Sequence, residues 1–342
     1  MDKFRNHKRF VLYLAAVTLV VLVTASVTIA SGPPQATPAA KVNSDKLNGE
    51  YVGNDVCITC HEDQNKRFKN TAMGKAFANP HTPTEKLGCE SCHGPGKAHV
   101  DAGGGKETIL IRFDKDTKTS VEDQNQACIQ CHQRGNRRFW SGSPHEARGM
   151  RCVDCHQAKM ELKKSASGEA FLPTKVGASE SLLKPETELC LTCHEMRKAE
   201  LQRSSHMPFR EGKVTCSSCH NPHGTPNPAQ LKQASVNENC YSCHAERRGP
   251  FLWAHQPVTE NCDTCHEAHG SFNPQLLKAR QPRLCQQCHN EFAHGERFTT
   301  GVLAGTTGQP TGYSNKVANR SCANCHSKIH GTNAPSGKFF VR

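Results

Sequence analysis

Every cysteine of this 342-residue chain belongs to the five-residue pattern Cys-x-x-Cys-His, which occurs ten times. Two thiols at this spacing lie on one side of a helical turn and can add to the two vinyl groups of one porphyrin, and the histidine that follows can bind the iron. Zinc sites and disulfide frameworks share parts of the pattern, but neither places a histidine after every second cysteine. Ten complete copies therefore predict ten covalently bound haem c groups.

We number the motifs one to ten along the chain and call the histidine that closes each motif its proximal histidine. The cysteine pairs that we predict to bind haem covalently are Cys57 and Cys60, Cys89 and Cys92, Cys128 and Cys131, Cys152 and Cys155, Cys190 and Cys193, Cys216 and Cys219, Cys240 and Cys243, Cys262 and Cys265, Cys285 and Cys288, and Cys322 and Cys325. The predicted proximal iron ligands are His61, His93, His132, His156, His194, His220, His244, His266, His289 and His326.

The composition excludes several classes of protein. Only 35% of the residues are hydrophobic and 6% are aromatic, too few for an ordinary core at this length. A disordered chain would lack cysteine, and a cytosolic enzyme would not carry so many thiols. The formal net charge of +12 is offset by the propionates of ten haems. The basic residues are thus expected to neutralise propionates, and we predict no nucleic-acid partner.

The N-terminus is typical of an exported protein. Basic residues precede an uncharged apolar run, Phe10–Ala30, which is followed by a Pro/Ala/Thr-rich stretch. The run is long enough to span a bilayer, so cleavage and an uncleaved anchor both remain open. We predict a signal peptide or N-terminal anchor at 1–30, a flexible spacer at 31–50, and a decahaem cytochrome domain with internal two-haem repeats at 51–342.

Histidines outside the motifs are candidate distal iron ligands. Excluding His7 in the N-terminal segment, they are His81, His99, His145, His206, His223, His255, His269, His294 and His330. Those that follow a motif closely cannot bind their own iron, because three residues span only about 10 Å and cannot pass around the porphyrin edge. Each of them must bind a neighbouring haem, which ties adjacent haems together.

Nine such histidines leave one of ten haems without a distal histidine. A repeat of His, motif, His, motif begins at His206 and again at His255, and a looser copy begins at His81. The copy that begins at His145 lacks its second histidine, and Lys159 and Met160 stand at that place. The odd site is therefore expected to use Lys159 or Met160, or to be open.

Several stretches of the chain resemble the MtrA/DmsE/PioA-type periplasmic decahaem cytochromes. They include 204–206, 216–224, 236–249, 252–270, 284–289 and 321–338. The resemblance implies a bis-histidine haem wire that inserts into an outer-membrane β-barrel and passes electrons across that membrane. The chain departs from the family where Met73-Gly74 replaces His-Gly and where Lys159 replaces histidine. For the first distal site, the repeat favours His81 and the family comparison favours Met73.

We predict a multihaem cytochrome c fold in which short α-helices and loops wrap around a linear chain of ten haems, with little β-sheet. The clearest predicted helices are Glu186–Lys198 and Asp55–Asn70, and Ala102–Lys106 and Gly301–Ser314 are predicted loops. The packing of haems against each other replaces the missing aliphatic core. Trp140 and Trp253 are expected to pack against haems.

The predicted function is electron transfer, not catalysis, in the periplasm at the outer membrane. The expected partners are an outer-membrane β-barrel porin, a periplasmic or inner-membrane electron donor or acceptor, and an outer-surface cytochrome or metal. The alternative is a multihaem reductase with one open catalytic haem, which needs a free sixth position on one iron. Metal reduction and Fe(II) oxidation use the same wire, so both directions of electron flow stay open.

Overall fold

The computed structural model describes residues 49–157, 163–164, 170–171, 182–289, 320–335 and 337–341. The predicted N-terminal segment and almost all of the spacer lie outside the described residues, and so does the predicted loop Gly301–Ser314. Three predicted ligands, Lys159, Met160 and His294, are outside them as well. All ten motifs are described.

Short helices and loops build the described part of the chain, with very little sheet, as predicted. The α-helices are Asn54–Cys60, Glu62–Lys69, Ala72–Phe77, Pro83–Lys86, Glu90–His93, Lys97–Asp101, Val121–Ile129, Pro144–Ala147, Cys152–Cys155, Glu186–Cys190, Glu195–Glu200, Cys216–Cys219, Val236–Tyr241, Gln256–Glu260 and Arg283–Gln286. Single 3-10 turns are Lys106–Thr108, Gly135–Arg137, Pro228–Gln230, Ala245–Arg247, Cys262–Thr264, Pro274–Leu276, Cys322–Asn324 and Gly337–Phe339. Lys163–Lys164 and Ala170–Phe171 form a two-stranded antiparallel ladder. Within the described ranges, no helix combines the length and the apolar character needed to cross a membrane.

The two clearest predicted helices are each interrupted at a proximal histidine or just before it. The first predicted helix, Asp55–Asn70, is two helices in the structure, Asn54–Cys60 and Glu62–Lys69. His61 separates them, with φ −114° and ψ 41°. In the second, His194 leaves the helical region at φ −88° and ψ 63°. The prediction of continuous helices was therefore wrong, because the residue that presents its imidazole sits at a bend in the backbone.

An aliphatic core is nearly absent from the described residues. Their only buried hydrophobic side chains are Trp140 and Leu201, which are 8% and 6% exposed, while Leu252 and Phe272 are 79% and 76% exposed. Buried polar side chains outnumber them. A polypeptide of this size cannot offset its loss of conformational entropy with so little apolar burial. The missing apolar contact must come from a bound group, as expected for haems.

Candidate haem-binding site

One backbone hydrogen bond shapes every motif. The N–H of the proximal histidine donates to the carbonyl of the first cysteine in all ten copies, over 2.8 to 3.1 Å. This single turn brings two thiols and one imidazole together, and all twenty cysteines are free of disulfides. The local geometry is the one required for attachment of a porphyrin through two thioethers with an adjacent axial ligand.

Proximal histidines meet histidines from outside the motifs. Five pairs have nearly parallel rings: His61 and His99, His156 and His223, His220 and His269, His255 and His289, and His266 and His330, with centroids 5.8 to 6.2 Å apart and planes within 20°. A sixth pair, His145 and His194, has its centroids 6.2 Å apart with nearly perpendicular rings. Every one of these six contacts joins one proximal histidine to one predicted distal histidine.

The spacing of these rings fits an iron between them. Metal–nitrogen bonds are about 2 Å long, so two imidazoles on one iron hold their ring centroids about 6 Å apart. Burial lowers the pKa of His223 and of His330 to about 4, which keeps both rings neutral, the form that binds metal. Trp140 adds a second sign of a missing group, because its buried indole Nε1 beside His223 has no partner in the described structure. A haem propionate is an acceptor of the kind that would satisfy it.

Backbone carbonyls orient the proximal rings of four even-numbered motifs. Nδ1 of these rings lies 2.5 to 2.9 Å from a carbonyl oxygen, and the pairs are His93 with Ile111, His220 with Ala229, His266 with Gln275, and His326 with Phe339. An Nδ1–H bond of this kind fixes the tautomer and leaves Nε2 free for the metal. Two of the acceptors, Ala229 and Gln275, have left-handed backbones at φ 52° and 59°. Backbone strain thus occurs where a carbonyl accepts from a predicted iron ligand.

Cysteines of successive motifs lie side by side along the whole chain. Neighbouring thiols raise the pKa of one cysteine in five of these junctions, which places Cys57 beside Cys89, Cys128 beside Cys152, Cys190 beside Cys216, Cys240 beside Cys262, and Cys285 beside Cys322. The four other junctions bring Cys92 within electrostatic range of Cys128, Cys155 of Cys193, Cys219 of Cys243, and Cys265 of Cys288. The ten cysteine pairs therefore form one unbroken row in sequence order.

A repeated asparagine contact spans three of the five junctions from an odd motif to the next even motif. Asn125 and Asn237, each three residues before the first cysteine of an odd motif, accept from the backbone N–H of Cys152 at 2.8 Å and of Cys262 at 2.7 Å. Asn54 does the same for Cys89 at 3.3 Å. Motif searching missed these residues, although the spacing Asn-x-x-Cys recurs in the sequence and could have revealed them.

Some predicted ligands have no histidine partner in the described structure. His81 and His206 make no ring contact with another described histidine, and His206 instead bonds to Glu211 at 3.3 Å. His132 and His244 likewise contact no described histidine ring. Met73 is partly buried in the helix Ala72–Phe77.

Comparisons with known proteins match this arrangement. The profile of the family "Doubled CXXCH motif" matches residues 206–249 and 255–294, the two copies of the repeat that begin at His206 and His255. The profile "Cytochrome c-type protein NrfB-like" matches residues 89–167. The chain is 41% identical over 310 residues to "Multiheme cytochrome MtrA" of Shewanella baltica, covering 89% of this chain and 86% of that protein. It is 26% identical over 209 residues to "Cytochrome c-type protein NrfB" of Haemophilus influenzae, covering 54% of this chain and 86% of that protein.

Proposed function

The chain belongs to the MtrA-type multihaem c-type cytochromes, which are electron-transfer proteins, and we propose that it carries electrons through ten covalently bound haems between the periplasm and the cell exterior. In this proposal it works inside an outer-membrane porin–cytochrome complex. Each haem iron supplies one-electron exchange between Fe(III) and Fe(II). The protein's own task is to fix the order, spacing and ligation of the haems.

The observation that carries the proposal is the unbroken row of attachment cysteines. Nine junctions join ten motifs in sequence order, so each haem would have one neighbour on each side, apart from the two at the ends. An enzyme that reduces a small substrate at one haem has no need of so long a row. If each haem adds roughly 10 Å, ten haems exceed the bilayer core of about 30 Å several times over.

Paired histidines support a carrier over a reductase. An iron that holds two imidazoles has no position left for substrate, and its ligands stay in place when it gains or loses an electron. The six histidine pairs would close six irons in this way. The proximal rings His93, His220, His266 and His326 are held by carbonyls, which limits their movement during electron exchange.

The proposed location is supported by the N-terminal segment and by the resemblance to the periplasmic decahaem cytochromes. Residues 1–30 would direct export, 31–50 would act as a spacer, and 51–342 would form the haem-binding domain in the periplasm, docked at the outer membrane. The proposed partners are a β-barrel porin, a periplasmic or inner-membrane electron donor or acceptor, and an outer-surface cytochrome or metal.

The first test is a count of haems. The intact mass of the mature protein after acid denaturation should exceed that of the polypeptide by ten haem units. Eight or fewer haems in a fully matured sample would contradict the decahaem proposal.

The second test measures conduction. Vesicles that contain a sealed redox dye are loaded with the holoprotein and the β-barrel that co-purifies with it, and a membrane-impermeant reductant is added outside. The dye should be reduced only when both proteins are present. A matched variant, C190A/C193A, removes the fifth haem from the middle of the row and should slow the reaction by orders of magnitude. Equal dye reduction by this variant, or by the barrel alone, would overturn the proposal.

A further inference from the structure

We propose that Glu186 is a tuning residue of the haem row, whose carboxylate lowers the reduction potential of the fifth and sixth haems. The proposal rests on the proposed haem loading but not on the proposed role at the outer membrane. It comes from a side-chain contact that recurs at all five junctions from an odd motif to the next even motif.

Two further side chains complete the set of junction contacts that the three asparagines begin. Oε1 of Glu186 accepts from the backbone N–H of Ser217 at 2.5 Å, and Oε2 accepts from the hydroxyl of the same serine at 2.8 Å. Oε1 of Gln281 accepts from the backbone N–H of Ala323 at 3.2 Å and from the hydroxyl of Ser321. Each of the five odd motifs is therefore preceded by a side-chain acceptor that binds the start of the next even motif.

The five acceptors differ in length because they start from different positions. Each asparagine stands three residues before the first cysteine of its own motif and binds the N–H of the first cysteine of the next motif. Glu186 and Gln281 stand four residues before that cysteine and bind one residue further on, at Ser217 and Ala323. The extra methylene group of glutamate and glutamine fits this longer reach, so the five contacts are versions of one arrangement.

Glu186 is the only one of the five acceptors that carries a charge. Gln281 separates the role of position from that of charge, because it has the same spacing as Glu186, is half-buried like Glu186 and binds an equivalent N–H. An amide is thus sufficient to hold two successive motifs together. The negative charge of Glu186 is not needed for the contact, and its effect falls on the groups around it.

No described cation forms an ion pair with this carboxylate. Lys184, two residues away, pairs instead with Glu188 at 3.4 Å. By contrast, Asp154 inside the fourth motif pairs with Arg151 at 2.5 Å. Two hydrogen bonds from neutral donors stabilise the ionised form of Glu186 but leave its net negative charge in place.

The field of this charge reaches the cysteines of both motifs at the junction. Ser217, which binds the carboxylate, directly follows Cys216, the first cysteine of the sixth motif. The pKa of the Cys190 thiol in the fifth motif is raised, chiefly by the neighbouring thiol of Cys216, and the carboxylate of Glu186 adds to that increase. A thiol beside a carboxylate resists becoming negative, and a haem attached at the same sulfur resists an added electron for the same reason.

Reduction converts Fe(III) to Fe(II), so a haem that takes an electron from its neighbour gains one negative charge. A carboxylate nearby disfavours this change, because like charges repel more strongly in a partly buried region than in water. The fifth and sixth haems would therefore hold an electron less readily than the same haems beside an amide. Fewer electrons would then rest in the middle of the row.

The test is a reciprocal pair of substitutions, followed by spectroelectrochemical titration of the haem-loaded protein. Glu186→Gln removes the charge and keeps the contact, because an amide also accepts from the Ser217 N–H and can donate to its hydroxyl. Up to two haems of the ten should shift to higher potential. Gln281→Glu adds a carboxylate at the equivalent position and should shift the ninth and tenth haems to lower potential. The carboxylates inside other motifs are the same in both variants: Glu90, Asp154 and Asp263.

A spectroscopic signal identifies the fifth haem. The rings of His145 and His194 are 82° apart, whereas the five other histidine pairs lie within 20° of parallel. Perpendicular imidazoles on low-spin Fe(III) give an electron paramagnetic resonance signal at a larger g value than parallel ones. The part of this signal that is lost in C190A/C193A belongs to the fifth haem. In Glu186→Gln it should keep its g value, which shows intact ligation, and disappear at a higher potential during reduction.

The matched control is Glu188→Gln, which removes an exposed carboxylate two residues away. Solvent screens this position and Lys184 offsets its charge, so the titration should stay as in wild-type protein. An unchanged titration in Glu186→Gln would overturn the proposal, and so would an equal shift in Glu188→Gln. If Glu186→Gln loses haem, Gln281→Glu decides, and the absence of a shift to lower potential there would overturn the proposal. Fewer than ten haems in wild-type protein would count against the haem loading instead, so the two failures are distinguishable.

Discussion

In both the N-terminal and the C-terminal part of the molecule, a glycine packs on a backbone carbonyl of a segment that follows an odd motif. The two contacts differ in the sequence separation between the glycine and that carbonyl. Gly270 packs on Glu200 from a distant segment, which Arg203 secures by donating to the carbonyl of Gly270 over 2.8 Å. Gly74 packs on Phe68 in the helix that immediately precedes its own. In the C-terminal part the His269-Gly270 pair thus joins segments that are distant in sequence, whereas in the N-terminal part Gly74 packs on a residue only six positions before it. The structural effect of losing such a contact should therefore reach more distant parts of the sequence in the C-terminal half.

The largest effect is expected for Gly270→Ala. The new Cβ would collide with the Glu200 carbonyl, and the backbone at φ 138° does not suit alanine. Overpacking and strain together should lower the free energy of unfolding by about 2–3 kcal/mol, seen as a lower midpoint in guanidinium. His269 should also be displaced, giving a high-spin haem.

The control for this variant is Gly212→Ala. Gly212 has φ 67° and no atom near the position of an added Cβ, so the substitution should lower the free energy of unfolding by about 1 kcal/mol and leave the haem spectrum unchanged. Gly74→Ala tests the contrast between the N-terminal and C-terminal parts, because any loss of haem ligation that it causes should stay within the first two motifs. An equal loss of ligation at the sixth haem in Gly74→Ala would contradict the distinction between the two ends.

An intermediate effect is expected at the junction asparagines. Asn237 is buried, caps Cys262, and donates to the carbonyls of Val258 and Thr259 over 2.9 and 3.1 Å. Asn237→Ala should cost about 2 kcal/mol of unfolding free energy because buried backbone groups lose their partners. Asn54→Ala at the N-terminal end breaks a 3.3 Å bond and should cost about 0.5–1 kcal/mol. If Asn54→Ala lowers the free energy of unfolding more than Asn237→Ala does, the N-terminal junction is not the weaker one.

The smallest effect should come from relieving backbone strain. Gln275 has φ 59°, and asparagine tolerates this region better than glutamine, so Gln275→Asn should stabilise the protein by about 0.5 kcal/mol. Ile111, which accepts the same kind of bond from His93, does not have a positive φ. Ile111→Asn should give no gain in the same unfolding experiment, and a gain there would show that strain is not the cause.

Local structure was predictable from the sequence, and long-range pairing was not. The short helices and the small sheet content follow from patterns within a few residues, and so does the common turn of the ten motifs. The sequence showed that His223 cannot share an iron with His220. That its ring meets His156 instead is visible only in the structure, where Gly224 packs on the carbonyl of Phe139. The broken helices were missed because a helical pattern does not show that His61 and His194 leave the helix. Lys159, Met160 and His294 remain predictions from the sequence.

The most direct test of the account is a high-resolution cryo-electron microscopy map of the haem-loaded protein, because the central claim concerns the order of the haems and their ligands. The map should show ten irons in sequence order, with His223 on the iron of His156 and His269 on the iron of His220. Irons out of sequence order, or His223 bound at the iron of His132 or His244, would contradict it.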